Sequence, residues 1–198
     1  MAQHKEPGED QGLEGSMEIG MEIGLASTGK NSLESGTQQS MDRVNCILND
    51  EEYRAYLSAI ATAEATRIFC RHDMAHFLDV CRIAMILNLE LGLCLDKEMI
   101  YGAGLLHDIG RWMQYASGVD HAIASAQIAP PILKRCGFSK SETGEIIAAI
   151  ESHRGEERGS PLSRIIFRAD KASRMCLTCP ARGACKNFLN GEVYRLDY

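Results

Sequence analysis

Residues 75–110, AHFLDVCRIAMILNLELGLCLDKEMIYGAGLLHDIG, decide the fold class of this chain. Apolar side chains recur there at three- and four-residue spacing, which indicates a helix with one buried face over about residues 75–93. That face comprises His76, Val80, Ile83, Ala84, Leu87 and Leu91. Asp96 is suited to cap the next helix and Gly110 to end it. The inward face of this next helix comprises Met99, Ile100, Ala103 and Leu106.

The same helical periodicity continues on both sides of this stretch. On the N-terminal side, a first helix carries one apolar face, formed by Tyr53, Tyr56, Leu57, Ile60 and Ala61. On the C-terminal side, Asp120 can cap a helix whose inward face comprises Ile123, Ala124 and Ile128. Pro130 and Pro131 should kink or break that helix, because proline removes a backbone donor and its ring clashes with the preceding turn.

Two further helices begin with N-terminal capping signals. Ser139 and Glu142 have capping-box spacing, ahead of a face formed by Ile146, Ile147 and Ile150. Ser160 followed by Pro161 is typical of a helix start, and the inward residues are Ile165, Ile166 and Ala169. No segment shows sustained strand alternation. The sequence therefore predicts an all-α fold, a compact multi-helix bundle.

The ends of the chain differ in composition from this helical part. Residues 1–44 are rich in Gly, Ser, Glu and Gln and cannot bury enough apolar surface to offset their chain entropy. We therefore predict a disordered tail over residues 1–44 and a helical domain over residues 45–178. Residues 179–198 are expected to form a short C-terminal tail that contains cysteine.

The overall charge and hydropathy restrict the partners. The net charge of −6 would repel a nucleic-acid backbone, so we expect no nucleic-acid polymer as a partner. A small phosphorylated substrate is compatible, because a metal and a few arginines can form a locally positive pocket. No secretory signal is visible, and residues 83–95, the most apolar stretch, are too short and polar to span a membrane. We expect a cytoplasmic protein whose 8 cysteines are reduced thiols or metal ligands.

Histidines are concentrated at or near the predicted helix ends. Five of the 6 histidines have this placement, namely His72, His76, His107, His121 and His153. A single histidine on an apolar face is more often a hydrogen-bonded core residue than a ligand. Helix ends converge at a common rim in a small bundle, however, and Asp108 and Asp170 belong to the same set. Several imidazoles and two carboxylates at one rim favour a divalent cation as their shared partner.

The order of these residues resembles that of a known family. His76 precedes Val80 by four positions, His107-Asp108-Ile109-Gly110 follows, and Ala169-Asp170-Lys171 comes last. This order is similar to that of the HD-domain superfamily of metal-dependent phosphohydrolases, and in particular to small stand-alone bacterial-type members. The resemblance implies four metal ligands, which are His76, His107, Asp108 and Asp170. Some branches add two histidines that bind a second metal or the substrate, and His121 and His153 match them.

The resemblance also implies a reaction. A bound divalent cation (Mn, Fe, Mg, Co or Zn, as one or two ions) would activate water toward a nucleotide or another small phosphate ester. Asp108, Arg111 and Lys171 are then the expected catalytic residues, and Arg111, Arg154 and Lys171 the expected substrate-binding residues. Residues 151–155 lack the Gly-Tyr-Pro signature of the cyclic-dinucleotide branch. An HD-type di-iron oxygenase and a non-catalytic HD binding module are the alternatives, and a homodimer is a common state for small helical enzymes.

The C-terminal cysteines suggest a separate site. Cys176, Cys179 and Cys185 include one pair at the Cys-x2-Cys spacing of zinc and iron–sulfur sites. A fourth ligand would have to come through the fold, from Cys136 or Cys70. Three reduced thiols in a packed turn are the alternative. The other cysteines, Cys46, Cys81 and Cys94, are interpreted as small core hydrophobes.

Overall fold

The computed structural model describes residues 40–189, 191, 193–196 and 198. Over these residues the chain forms eight α-helices and three short 3-10 turns, with no strand, which confirms the predicted all-α fold. The helices are α1 Asp42–Asn49, α2 Glu51–Ala63, α3 Met74–Glu90, α4 Lys97–Leu106, α5 Arg111–Ser117, α6 His121–Arg135, α7 Lys140–Ser152 and α8 Pro161–Ala172. The 3-10 turns are Cys176–Thr178, Arg182–Ala184 and Lys186–Phe188.

Helix α4 lies at the centre of the bundle. It packs against α3, α7 and α8, and also contacts α1 and α6. Its Ile100, Leu105 and Leu106 are fully buried in the core. Gly104 allows the close approach of α3, because a Cβ at that position would lie 2.5 Å from the Cys81 sulfur and 3.3 Å from the Cys81 Cα. The helix that carries the His-Asp dyad is therefore held on several sides by apolar packing.

The predicted helix starts are confirmed at four positions. The side chains of Asp96, Asp120 and Ser160 each accept a backbone hydrogen bond at the N-terminus of α4, α6 and α8. Ser139 and Glu142 form the complete capping box of α7. These signals are local, since each cap satisfies backbone donors only two or three residues away.

The prolines do not break α6, so the predicted break is wrong, and the predicted kink stays a prediction. The helix continues through Pro130 and Pro131 to Arg135. Pro131 is exposed and Pro130 only partly buried. The core side chains that follow, Ile132 and Leu133, are fully buried. Their burial stabilises the continued helix against the loss of two backbone donors.

Several expected faces and ends also need correction. Leu91 and Ile123 were predicted to face inward, but both are exposed, at 51% and 53% of their surface. Gly110 does not end α4, which stops at Leu106. Gly110 instead precedes α5, a short helix that periodicity did not reveal because it has no buried residue.

Helix α1 changes the N-terminal boundary. Most of the predicted disordered tail, residues 1–44, lies outside the described residues, but its last three residues belong to α1. Arg43 fixes this helix to the bundle: its backbone N–H donates to Glu98 at 2.8 Å, and its guanidinium to Glu142 at 2.7 Å. The boundary expected at residue 178 stays a prediction.

None of the described helices is both long and apolar enough to cross a bilayer.

The cysteine expectations are partly wrong. Cys46 of α1 and Cys136 at the end of α6 form a disulfide, with their Cα atoms 5.4 Å apart. Neither is therefore a free thiol, and Cys136 is excluded as a fourth metal ligand. Cys81 is buried as expected, whereas Cys94 is exposed rather than part of the core. The pairing escaped prediction because the two cysteines are 90 residues apart in the sequence.

Candidate metal centre

The proposed ligands all lie at helix ends that meet on one side of the bundle. His76 is in the first turn of α3, His107 and His153 follow the last residues of α4 and α7, His121 begins α6, and Asp170 is in the last turn of α8. Asp108 lies in the turn that follows α4. All except His76, which is partly buried, are buried. The core packing of the helices thus determines where these side chains converge.

Gly110 holds the dyad turn against α6. Its backbone N–H donates to the Ser125 hydroxyl at 2.9 Å. A Cβ on this residue would lie 2.4 Å from the Ser125 nitrogen and 2.6 Å from the Ala124 carbonyl carbon, so only glycine fits. The glycine of the His-Asp-Ile-Gly motif is therefore required for space, since its φ of −85° is open to any residue.

One ligand group surrounds the Oδ2 side of Asp108. His107 Nε2 lies 3.5 Å from Asp108 Oδ2 and 4.0 Å from Asp170 Oδ1. His76 Nε2 lies 3.9 Å and 3.8 Å from the same two oxygens. The ligand atoms of His76, His107, Asp108 and Asp170 all lie within 4.8 Å of one another. This set can hold one cation.

A second ligand group surrounds the other oxygen of Asp108. His121 Nε2 is 3.0 Å and His153 Nε2 is 3.5 Å from Asp108 Oδ1. The two imidazole nitrogens are 3.2 Å from each other. Asp108, His121 and His153 form a second set whose ligand atoms lie within 4.8 Å. Asp108 is shared by both sets and has one oxygen toward each, which is the arrangement of a bridging carboxylate.

Hydrogen bonds on the far side of the rings set their tautomers. His107 Nδ1 lies 2.7 Å from the Gly104 carbonyl oxygen, and His153 Nδ1 lies 2.6 Å from that of Ile150. A carbonyl oxygen only accepts, so Nδ1 carries the proton and the neutral ring presents its Nε2 lone pair to the centre. His121 Nδ1 differs, because it lies 2.8 Å from the Gln114 amide oxygen, an acceptor, and 2.6 Å from an Arg111 guanidinium nitrogen, a donor, and these two contacts favour opposite tautomers.

The pKa values of most of these residues favour the deprotonated state in which they can bind a metal. Burial lowers the pKa of His107 to about 3 and that of His121 to about 4, although Asp108 acts in the opposite direction. Burial would raise the pKa of Asp108 and of Asp170, yet His107 and other neighbours hold both well below the ordinary value. Burial opposes protonation of His153, but the neighbouring Asp108 carboxylate raises its pKa above the ordinary value. A proton and a cation therefore compete for this second group.

Buried atoms without partners support the same interpretation. Among the described residues, His76 Nε2, His107 Nε2 and Asp108 Oδ1 are buried and make no hydrogen bond. An unsatisfied buried polar atom is costly, and three in one place need a common partner. A divalent cation fits this donor set, because imidazole and carboxylate ligands accept several first-row ions and Mg.

Behind Asp108, the side chains of His72, Glu64 and Tyr115 form a chain of contacts. His72 Nε2 lies 3.5 Å from Asp108 Oδ2, and His72 Nδ1 contacts the buried carboxylate of Glu64. Glu64 also accepts from the His72 backbone N–H at 2.8 Å and from the Tyr115 hydroxyl at 2.6 Å. His72 is not among the predicted metal ligands. Glu64 and Tyr115 were missed, because their contact spans 51 residues and no sequence spacing signals it.

The predicted cations occupy different positions. An Arg111 guanidinium nitrogen lies 2.6 Å from His121 Nδ1, while Arg111 Nε is buried with no hydrogen-bond partner among the described residues. Lys171 donates to Asp170 and, at 3.1 Å, to the His153 carbonyl oxygen. Arg154 pairs with Asp120 at 2.6 Å. Arg174 pairs with Asp170 at 3.6 Å. The predicted roles of Arg111, Arg154 and Lys171 stay predictions.

A cavity of about 410 Å³ opens above the two ligand groups. Five of the six proposed ligands line it, namely His76, Asp108, His121, His153 and Asp170. Its walls carry cationic side chains, which are Arg67, Arg111, Arg154, Lys171, Arg174 and Lys186. The cavity therefore combines a metal-binding floor with positively charged walls.

The fold and this centre define a helical protein with a His/Asp site able to hold a divalent metal. The family model for the HD domain matches residues 74–175. A protein of Clostridium beijerinckii, described as uncharacterized, is 43% identical over 145 residues, which is 73% of this chain and 92% of that protein. The chain belongs to the HD domain family, and the predicted resemblance is confirmed.

This chain matches only a small part of some other similar proteins. Ribonuclease Y of Lawsonia intracellularis is 30% identical over 130 residues, which is 66% of this chain but only 22% of the ribonuclease. Ribonuclease Y of Fervidobacterium nodosum is 37% identical over 103 residues, or 50% of this chain and 18% of that protein. A crystal structure described as an HD superfamily hydrolase, from an uncultured Thermotogales bacterium, has 30% identity and a TM-score of 0.48. The matched region is 60% of this chain and 66% of the chain in the crystal structure.

Proposed function

We propose that this protein is a metal-dependent phosphohydrolase that cleaves a nucleotide or another small phosphate ester. The observation that carries the proposal is the shared Asp108, whose two oxygens face separate groups of possible metal ligands at the floor of a cavity with cationic walls. A phosphate ester is the substrate class that needs both parts, a metal at the reacting centre and cations around the phosphate oxygens.

The chemistry is divided between the bound cation and the residues of the chain. A divalent cation held by His76, His107, Asp108 and Asp170 would lower the pKa of water and supply hydroxide near neutral pH. Arg111 would donate to a phosphate oxygen, because its Nε is buried and has no other hydrogen-bond partner among the described residues. Lys171 serves mainly to position Asp170 and the end of α7, since its ammonium group already contacts both.

The shape and charge of the site favour a small substrate. A cavity of about 410 Å³ is within the usual range for small-molecule sites. The names of the ribonuclease Y relatives indicate RNA cleavage, but the chain corresponds to about a fifth of those proteins. The net charge of −6 of the whole chain would oppose a long polyanion. We propose that this chain uses a similar centre on a small ester and acts as a cytoplasmic enzyme.

The test is a screen of phosphate esters with the purified full chain. Nucleoside mono-, di- and triphosphates, bis-p-nitrophenyl phosphate and a short RNA would each be incubated with Mn, Co, Mg, Fe or Zn. We expect turnover of at least one small ester that depends on the added metal and is abolished in Asp108→Ala. Activity that survives Asp108→Ala, or turnover of RNA alone, would contradict the proposal.

The two alternatives have their own signatures in the same screen. A di-iron oxygenase would hold iron and consume oxygen without releasing phosphate. A binding module would show no turnover with any metal. Either outcome would overturn the proposed hydrolysis while leaving the metal centre intact.

A further inference from the structure

Four free cysteines lie together outside the His/Asp centre. Cys176, Cys179 and Cys185 follow α8, and Cys70 comes from the loop before α3. Cys70 lines one cavity together with Cys179 and a second cavity together with Cys185. Burial and then the neighbouring Cys70 raise the pKa of Cys176, and Cys185 and Cys179 act in the same direction. A thiol more than a hundred positions earlier in the chain thus joins the C-terminal three.

The C-terminal segment around these cysteines has almost no hydrophobic core. Within residues 174–189, the only buried apolar side chain is that of Ala181. Met175, Leu177 and Leu189 are about two-thirds exposed, at 67%, 66% and 65%. The segment contains only the three 3-10 turns, and Cys176 begins the first of them. A segment of this size without a core needs a disulfide or a metal to hold a single shape.

The charge of the segment suits an anionic group. Residues 174–189 contain Arg174, Arg182 and Lys186 and no acidic residue. Arg67, next to Cys70 in the fold, donates to the Cys70 carbonyl oxygen at 2.7 Å. Thiolate-bound clusters carry a net negative charge, and nearby cations stabilise it.

The spacing of the sulfur atoms does not match a site for a single zinc ion. Two thiolates on one zinc ion are at most about 4.6 Å apart, because each Zn–S bond is about 2.3 Å long. Over the part of the chain that the structure describes, no three cysteine sulfurs lie within 4.8 Å of one another. In a four-iron cluster each thiolate binds a different iron, so the cysteines stand further apart.

We infer that Cys70, Cys176, Cys179 and Cys185 form a four-thiolate site that holds a [4Fe–4S] cluster. The cluster would replace the missing hydrophobic core of residues 174–189 and tie them to the loop before α3. Ala184, Cys185, Lys186 and Asn187 also line the cavity above the His/Asp centre. The cluster would therefore hold one wall of that cavity in place.

The test is anaerobic purification of the full chain, followed by measurement of iron, zinc and acid-labile sulfide. We expect about four sulfides per chain and a visible absorption that bleaches on reduction. Sulfide is the informative quantity, because the His/Asp centre can bind iron but contributes no sulfide. Asp108→Asn, which disables that centre, should therefore retain its sulfide.

Serine variants identify the ligands. Cys70→Ser, Cys176→Ser, Cys179→Ser and Cys185→Ser should each lose the sulfide, whereas Cys94→Ser, at an exposed free cysteine elsewhere, should keep it. Trypsin should also cut faster after Arg182 and Lys186 in the four variants, while the helical circular dichroism is retained. Stoichiometric zinc without sulfide, a wild-type chain with neither, or full sulfide in Cys70→Ser would overturn the inference.

Discussion

The His/Asp centre and the cysteine segment build a site in opposite ways. The ligands of the first are buried at the ends of helices whose other side chains fill the apolar core. Three of the four cysteines of the second lie in residues 174–189, a segment with a single buried apolar residue, Ala181. In the first region the apolar packing of the helices positions the ligands. In the second the bound group would itself determine the local fold, as in small metal-stabilised domains.

The largest effect that this comparison predicts is at Asp108. Asp108→Asn should lower metal-dependent hydrolysis by at least about 1000-fold, because the residue faces both ligand groups. Metal analysis should show loss of both ions, while helical circular dichroism stays that of the wild type. Cys176→Ser makes the matched comparison, since it should spare the His/Asp metal but loosen the C-terminal segment. An unfolded Asp108→Asn protein would show that metal binding and folding are coupled in this region too.

A smaller effect is expected within the centre, between its two ligand groups. His153→Gln removes a ligand of the second group only and should lower activity by about 10- to 100-fold, with loss of one ion. His76→Gln removes a ligand of the first group and should leave the second group's ligands complete. Equal loss of all metal in both variants would show one cooperative site rather than two.

The smallest expected effect is on stability, at Glu64, which contacts His72 behind Asp108. Burial alone would raise the pKa of Glu64, but hydrogen bonds from His72 and Tyr115 lower it from 4.5 to about 2. A carboxylate whose pKa is lower in the folded state adds stability above pH 4.5, and this is lost as the pH falls toward 2. Glu64→Gln should therefore lower the free energy of unfolding by about 1–3 kcal/mol at neutral pH.

Urea unfolding across that pH range checks the Glu64 prediction. The difference between wild type and Glu64→Gln should shrink steadily from pH 4.5 to about pH 2. Glu145→Gln, at an exposed carboxylate, is the control and should have little effect. A difference that does not depend on pH would mean that Glu64 stabilises the fold by packing alone.

Much of the fold and of the candidate site could be predicted from local signals. The caps at Asp96, Asp120, Ser139 and Ser160 are satisfied within two or three residues, so the sequence around them contains the whole interaction. The predicted ligands His76, His107, Asp108 and Asp170 are brought together as the family resemblance implied. The exposed side of α6 at Ile123 and the short helix α5 were not predictable in this way, because neither follows from periodicity.

What the sequence by itself determined is the all-helical class, most helix starts and the set of residues that can bind a metal. Only the tertiary structure decided that α6 continues through Pro130 and Pro131, that Asp108 has one oxygen toward each ligand group, and that Cys70 joins the C-terminal cysteines. The physical reason is the distance along the chain between the residues that interact. A cap or an apolar stripe is complete within a turn or two of helix, whereas these outcomes depend on core packing between segments far apart in the chain.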